Sequence, residues 1–457
     1  MSFRSRFTAV LLVLVMLCFV LWQGLSPQEA APETVPDVFD EKQTIHIWYT
    51  DEALTDYMNS RALGFMEENE KVRIVPTLVS AVEYLEMINE ATMKQEVYPD
   101  LFLLTNDSLE KAYMAGLATE ITDPQQRINE NTFSEAALNA VTYQGEKIAY
   151  PFSYETSVFL YNRTYLETMA QTKAEALASQ AQADAQEGEE ASEEETEPVK
   201  TVSGADDLVP QTFDDILALA DEYDAPEGVE SILKWDVSDI FYNYFFAGNY
   251  MDIGGETGDD SSIVDVCNEQ SVACMKMYQS LNQFFSIEAD ETDYELVLNE
   301  FLQGKTLFTV ATTDAIARLE QAKADGTFAW EYGITTMPDI SNELATRALS
   351  VTNTVVVNGF SRNKEYANAF ASYLTCDVDA SLYERTGKLA AANGVDYGNP
   401  ITDVAMASYA ESVSLPKIMQ ASNFWVQLEV AYTGIWQGED AEAKMQSLEE
   451  QMLRQIQ

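Results

Sequence analysis

Gly145-Glu-Lys-Ile-Ala-Tyr-Pro-Phe-Ser-Tyr-Glu-Thr-Ser-Val-Phe-Leu-Tyr-Asn162 is the stretch on which the fold turns. Gly145 supplies a turn, an apolar strand follows, Pro151 punctuates it, and Glu155 then stands between aromatic residues in a second strand. A carboxylate in an apolar strand is costly to bury without a partner. Glu155 is therefore either a ligand contact or half of a structural ion pair. Upstream, Ile45-His-Ile-Trp-Tyr49 alternates like a strand, Leu54 to Glu68 is an amphipathic helix, and Val72-Arg-Ile-Val75 is a second strand. A helix from about Ala81 to Lys94 leads to Pro99-Asp-Leu-Phe-Leu-Leu104, an apolar run of the kind found in buried parallel strands. This alternation predicts an α/β chain with a doubly wound sheet. Ligands of such sheets gather at the carboxyl ends of strands, which places Asn106 and Asp107 on the ligand side.

At 457 residues and 46% hydrophobic content the chain can fill two cores, since one core rarely grows beyond about 250–300 residues. The formal charge of −50, from 76 acidic against 26 basic residues, makes nucleic acid an unexpected partner because phosphate is repelled. A neutral ligand is easier to admit. Arg4 and Arg6 precede the uncharged run Ala9 to Trp22, which predicts export by a signal peptide or N-terminal membrane anchor over 1–25, with a Pro- and acid-rich tether over 26–41. Cys18 lacks the small preceding residue of a lipoprotein signal and is read as a packing residue. The location expected is the outer face of the cytoplasmic membrane, or the periplasmic or extracellular space.

Cys267 and Cys274 are seven residues apart. Two helical turns span about 10 Å, more than the roughly 4.4–6.8 Å between disulfide-linked Cα atoms. With Cys376 they are expected as buried apolar residues. The one histidine, His46, sits in the first strand, so histidine-dependent triads and His-ligated zinc lose their main ingredient. No metal or cofactor is expected. Residues 170–208 begin as an Ala/Gln/Glu helix former and become Glu187-Gly-Glu-Glu-Ala-Ser-Glu-Glu-Glu-Thr-Glu-Pro198, too poor in apolar residues to offset their chain entropy, and are expected as a disordered acidic insertion after a frayed helix. The fold resumes at Pro210-Gln-Thr-Phe213, where Thr212 caps a helix and Asp215 reaches back to it.

Several blocks keep a recognisable order from about Thr44 to the C-terminus. They include Trp48, Tyr98-Pro-Asp-Leu-Phe, Met114-Ala-Gly-Leu-Ala-Thr-Glu-Ile121 and Lys147-Ile-Ala-Tyr-Pro151 through Asn162. Phe301-Leu-Gln-Gly-Lys-Thr-Leu-Phe-Thr-Val310, Tyr332-Gly-Ile-Thr-Thr-Met-Pro338 and Leu415-Pro-Lys-Ile-Met-Gln-Ala-Ser-Asn-Phe-Trp425 continue the series. Together they resemble the extracytoplasmic solute-binding proteins of ABC importers, most of all the maltose and maltodextrin binders. The resemblance implies a type II periplasmic-binding-protein-like fold with two discontinuous lobes, a hinge and a ligand cleft. Lobe one would hold 42–153 and 352–388, and lobe two 154–351 and 389–457. It further implies a monomer with no enzymatic activity that delivers a carbohydrate, expected to be an oligosaccharide, to membrane permease subunits.

Sugar capture uses carboxylates and amides for hydroxyls and aromatic faces for the C–H face of the ring. The resemblance places Asp107 and Glu155 among the hydroxyl-binding acids of lobe one, and Asp51, or alternatively Glu52, in the loop after the first strand. Trp425 matches a stacking tryptophan of lobe two, with Trp235, Asp239 or Tyr242 supplying further contacts. Asp107 also reads as a helix cap and Trp425 as core. Two departures stand out: Leu104 occupies the place of a stacking tryptophan, and Thr312-Thr-Asp314 replaces a Gly-Pro-Trp. They point to a different or shorter sugar than maltose. The rival readings are a membrane-presented sugar receptor serving a sensor, and a glycoside hydrolase using Asp107 and Glu155.

Overall fold

The computed structural model describes residues 42–95, 97–187, 204–418 and 422–456. The predicted leader, its tether, Cys18 and most of the acidic run after Glu187 lie outside the described residues. The chain builds a ten-stranded mixed sheet. Its strands are β1 (Gln43–Tyr49), β2 (Val72–Leu78), β3 (Leu101–Thr105), β4 (Tyr150–Asn162), β5 (Ser231–Leu233), β6 (Thr306–Thr312), β7 (Tyr332–Thr335), β8 (Leu349–Val357), β9 (Leu389–Ala390) and β10 (Val413–Ser414). The order is β2-β1-β3-β8-β4-β6-β5, with β7 and β9 also pairing β4, and β10 pairing β8.

The predicted βαβ start is present: β1 runs parallel to both β2 and β3, with helices Thr55–Glu68 and Tyr84–Lys94 between them. His46 is a half-buried member of β1. Leu101 to Leu104 are buried throughout, as a strand covered on both faces requires.

β4 holds the molecule together. Its first half pairs antiparallel with β8 and β9, and its second half with β6 and β7. The turn that feeds it joins Thr142–Tyr143 to Glu146–Lys147, with Gln144 at φ 52° and Gly145 at φ 82°. Two successive positive φ angles suit a two-residue hairpin turn, and glycine adopts one without strain.

Two large buried clusters flank the sheet. One gathers the helices Phe213–Glu222, Glu269–Phe285, Ser422–Trp436 and Ala441–Ile456 around Trp235, Phe246, Tyr278 and Trp436. The other joins Ile45, Ile47 and Phe152 to Leu160, Phe301, Ile316 and Tyr332. This second cluster runs past residue 153, because β4 carries its buried side chains from one set of helices to the next. A smaller cluster contains Tyr84, Leu104 and Ile148.

The helix Arg163–Glu187 extends well into the stretch expected to be disordered from residue 170. Alanine, glutamine and glutamate formers sustain it where apolar content is low. Thr212 and Asp215 form the expected reciprocal cap on the helix Phe213–Glu222. Of the three described cysteines only Cys274 is fully buried, and burial pushes its thiol up to about 11; Cys267 and Cys376 are half-buried, where all three were expected inside. Among the described residues no helix is long and apolar enough to cross a membrane.

Candidate functional site

Where β1 ends, Asp51 caps the short turn Glu52–Leu54, its Oδ1 accepting the Ala53 amide at 2.9 Å. Its Oδ2 lies 2.8 Å from the Lys388 ammonium, and Glu155 Oε1 lies 3.7 Å from the same nitrogen. The register explains the meeting. Leu389 and Ala390 of β9 pair with Tyr154 and Ser153 of β4, so one step further places Lys388 beside Glu155. Burial alone would raise the Asp51 carboxyl, but the Lys388 bond and charge, with the Ala53 amide, hold it below its usual range. Burial lowers Lys388, and the two acids more than restore it, so its ammonium is raised. Glu155 is thus a half-exposed acid that shares the Lys388 cation with Asp51. Sequence reasoning missed Lys388, which lies far along the chain from both acids.

Asp107 is exposed, two residues beyond the end of β3. β8 pairs Asn353 with both Thr105 and Ser153, and Val351 with Glu155. Thr105 and Ser153 therefore stand at one level on strands two apart, about 10 Å, and Asp107 follows in the short turn Asn106–Ser108. Asp107 does not cap the helix Leu109–Met114; its N-cap is Ser108, with no side-chain cap bond. Asn106 is fully buried, with Nδ2 donating to Leu415 O at 2.7 Å and Oδ1 accepting the Thr352 amide at 2.9 Å. It ties three segments together instead of facing a ligand. Leu104, in place of an expected ring, fills the small cluster.

The second half of the site begins two residues further along β4. Ser157 pairs with Thr312 of β6, and Ser157 Oγ donates to Phe241 O at 2.8 Å. Side chains two apart share a strand face, so Glu155, Ser157 and Thr312 lie on one side of the sheet. Tyr242 stacks on Tyr294 with ring centroids 4.6 Å apart and planes at 17°. Tyr294 OH donates to Asp314 Oδ1 at 2.8 Å, and the single Thr312 hydroxyl proton is shared between Asp314 Oδ1 and Tyr294 OH, the latter at 3.1 Å. Arg318 stands 3.7 Å from Asp314. Tyr294 is a second residue that sequence reasoning missed; its place at the start of a helix, Tyr294–Leu302, carries no motif.

Asp239 caps the turn Ile240–Tyr242, its Oδ1 accepting the Phe241 amide at 2.7 Å. Burial, followed by the nearby Asp236 charge, raises its carboxyl. Trp425 opens the helix Ser422–Trp436, half-buried, 5.9 Å from the Tyr244 ring. One turn on, Glu429 is raised by burial and then by the charges of Asp239 and Asp236, which sets this helix face beside the Asp239 turn.

Trp235 does not belong to the site. It is fully buried, donates Nε1–H to Asn243 Oδ1 at 2.8 Å, and packs edge-on against Trp436 with centroids 5.3 Å apart. The structure thus gathers Asp51 and Glu155 around Lys388. It gathers Tyr242, Thr312 and Asp314 around Tyr294, while Asp239 caps the turn that contains Tyr242.

The architecture has known counterparts. The profile of the bacterial extracellular solute-binding proteins matches residues 62–407. This chain is a member of that family. Maltodextrin-binding protein MdxE of Bacillus subtilis (strain 168) is 20% identical over 391 residues, covering 83% of this solute-binding protein and 82% of the relative. A solute-binding protein from Staphylococcus aureus solved with maltose superposes with a TM-score of 0.72 at 17% identity, covering 91% of this chain and 98% of that one. MalE from Listeria monocytogenes, also solved with maltose, gives 0.66 at 17% identity with coverages of 90% and 97%. A cyclo/maltodextrin-binding protein solved with maltotetraose gives 0.70 at 17%, with coverages of 91% and 98%. At these identities the superpositions show the fold, a two-lobed α/β architecture.

Proposed function

We propose that this solute-binding protein captures a carbohydrate of the malto-oligosaccharide class between its lobes and passes it to the membrane subunits of an ABC importer. One observation carries the reading. The Asp51–Lys388–Glu155 trio meets β4 at Glu155, and two residues further on Ser157 pairs with Thr312, which bonds Tyr294 of the Tyr242–Tyr294 ring pair and Asp314. Successive same-face positions on a strand are about 7 Å apart, roughly one pyranose ring. Acids beside flat rings suit a polyol, whose hydroxyls need acceptors and whose C–H face needs an apolar surface. The Bacillus relative is named for maltodextrin, and the three solved neighbours hold maltose or maltotetraose. Retention of residues 1–25 as a membrane anchor on the outer face of the membrane belongs to the same proposal, as do the lobe limits at 153/154, 351/352 and 388/389.

Calorimetric titration with maltose, maltotriose and maltotetraose tests it. A Kd of about 1 μM, or about −8 kcal/mol, is expected for at least one. No heat with any of them, or sugar release by the purified protein, would overturn the assignment.

A further inference from the structure

We propose that Lys388 reads the ligand directly, its ammonium donating to a hydroxyl oxygen of the sugar while Asp51 and Glu155 accept from that hydroxyl and its neighbour, so that the trio selects a vicinal diol. The inference rests on the carbohydrate reading above and names the part of the sugar this wall of the site engages.

An ammonium has three N–H donors and no acceptor. One of the three is taken by Asp51 Oδ2 at 2.8 Å, and Glu155 Oε1 stands at ion-pair distance, 3.7 Å. The Lys388 side chain keeps 20% of its surface exposed, and the Asp51 side chain keeps 40%. Asp51 has one oxygen committed to the Ala53 amide, and Glu155 remains 43% exposed. What this face offers a ligand is one donor between two acceptors. A sugar hydroxyl is both donor and acceptor, and two hydroxyls on adjacent carbons complete that acceptor–donor–acceptor row.

The lysine is also held in place. Gly387, at φ 71°, ends the helix Ser381–Thr386, and the Lys388 amide donates to Thr386 Oγ1 at 3.1 Å. On its other side the buried Leu389 and Ala390 are locked onto β4. A half-exposed ion pair by itself stabilises a fold little, so anchoring this ammonium on both sides is better explained by recognition than by stability. The trio carries a net charge of about −1 by count of its groups, which favours a neutral sugar over an anionic one.

The test compares wild type, Lys388→Met and Lys388→Arg by calorimetry with maltotriose, beside their melting temperatures and a pH series. Lys388→Met is expected to bind at least tenfold more weakly at an unchanged melting temperature, and Lys388→Arg to recover part of the loss. Below neutral pH the Met variant is expected to lose affinity earlier than wild type. Without the lysine, burial is left to push the Asp51 carboxyl up, so protonation removes an acceptor sooner. Equal affinities for wild type and Lys388→Met would overturn the role of Lys388 while leaving the carbohydrate reading intact. A fall confined to melting temperature, with parallel pH profiles, would also overturn it. A wild type that binds no sugar would sink the carbohydrate reading itself.

Discussion

Lys417 should make this protein more stable as pH rises above neutrality, against the usual alkaline trend. Its side chain is fully buried, with Nζ donating to Asn139 O at 2.8 Å and to Thr257 O. Its own amide donates to Gly258 O at 2.7 Å. Burial, opposed only in part by Asp259, lowers the ammonium from an ordinary 10.5 to about 8. The folded-state pKa is thus depressed for a base. Below about pH 8 both folded and unfolded chains hold the proton, and the fold bears the full cost, about 3 kcal/mol at 1.36 kcal/mol per pH unit. Between about 8 and 10.5 the unfolded chain binds more protons than the native one, so stability rises with pH. At pH 9.5 the remaining cost is about 1 kcal/mol, a gain of about 2 kcal/mol over pH 7. Lys417→Met cannot titrate. It leaves two carbonyls without their donor, a cost of about 1–3 kcal/mol each that does not vary with pH. Urea denaturation of both proteins at pH 7 and 9.5 isolates the effect, because the buried tyrosines titrate alike in each and cancel in the difference. Wild type should gain about 2 kcal/mol on the variant across that interval. A gap that stays constant would mean that the ammonium is solvated, and the reasoning would fall.

Two substitutions separate core from site. Trp235→Phe removes the Nε1–H bond to Asn243 and part of the packing on Trp436, so a loss of about 1–3 kcal/mol is expected in denaturant unfolding with sugar affinity kept within about twofold. A tenfold affinity change would return Trp235 to the site. Tyr294→Phe keeps the ring stacked on Tyr242 but deletes the hydroxyl that orients Asp314 and Thr312, and affinity should drop about tenfold for about 1 kcal/mol of stability. Unchanged titration curves for this variant would place Tyr294 outside the binding surface.

How much of this was legible in the chain depends on the range of the signal. Local patterns carried well: alternation in β1, the continuous apolar run of β3, the Gly145 turn and the Thr212–Asp215 cap all depend on neighbours within a few residues. Glu155 drew notice because a carboxylate in an apolar strand contradicts its surroundings. Its partner Lys388 did not, since a lone lysine after a glycine is ordinary and only the pairing of β9 with β4 brings it there. Trp235 failed for the opposite reason. Its ring and its N–H both find partners inside, through Trp436 and Asn243, and nothing in Lys234-Trp-Asp236 distinguishes that from an exposed stacking face. Asn106 was misjudged on position alone. The carboxyl end of a strand does meet the ligand side, but its amide is used to join Thr352 and Leu415.

The placement of Glu155 has a mechanical consequence that composition could not suggest. β4 exchanges partners between Thr156, paired with Ser350 of β8, and Ser157, paired with Thr312 of β6. β8 carries a register shift between Asn353 and Thr354, opposite the stretch from Ser153 to Pro151. A ladder that changes partner or register is interrupted there, and a bulged strand is locally bent with a stronger twist. Glu155 thus lies between the two irregularities, with Lys388 and Asp51 attached to it on one side and the Tyr294 cluster two residues away on the other. A sugar held by both groups would span that interrupted segment. Its contacts would then be complete only at one angle between the halves, which is the differential affinity that a ligand needs in order to shift such an equilibrium.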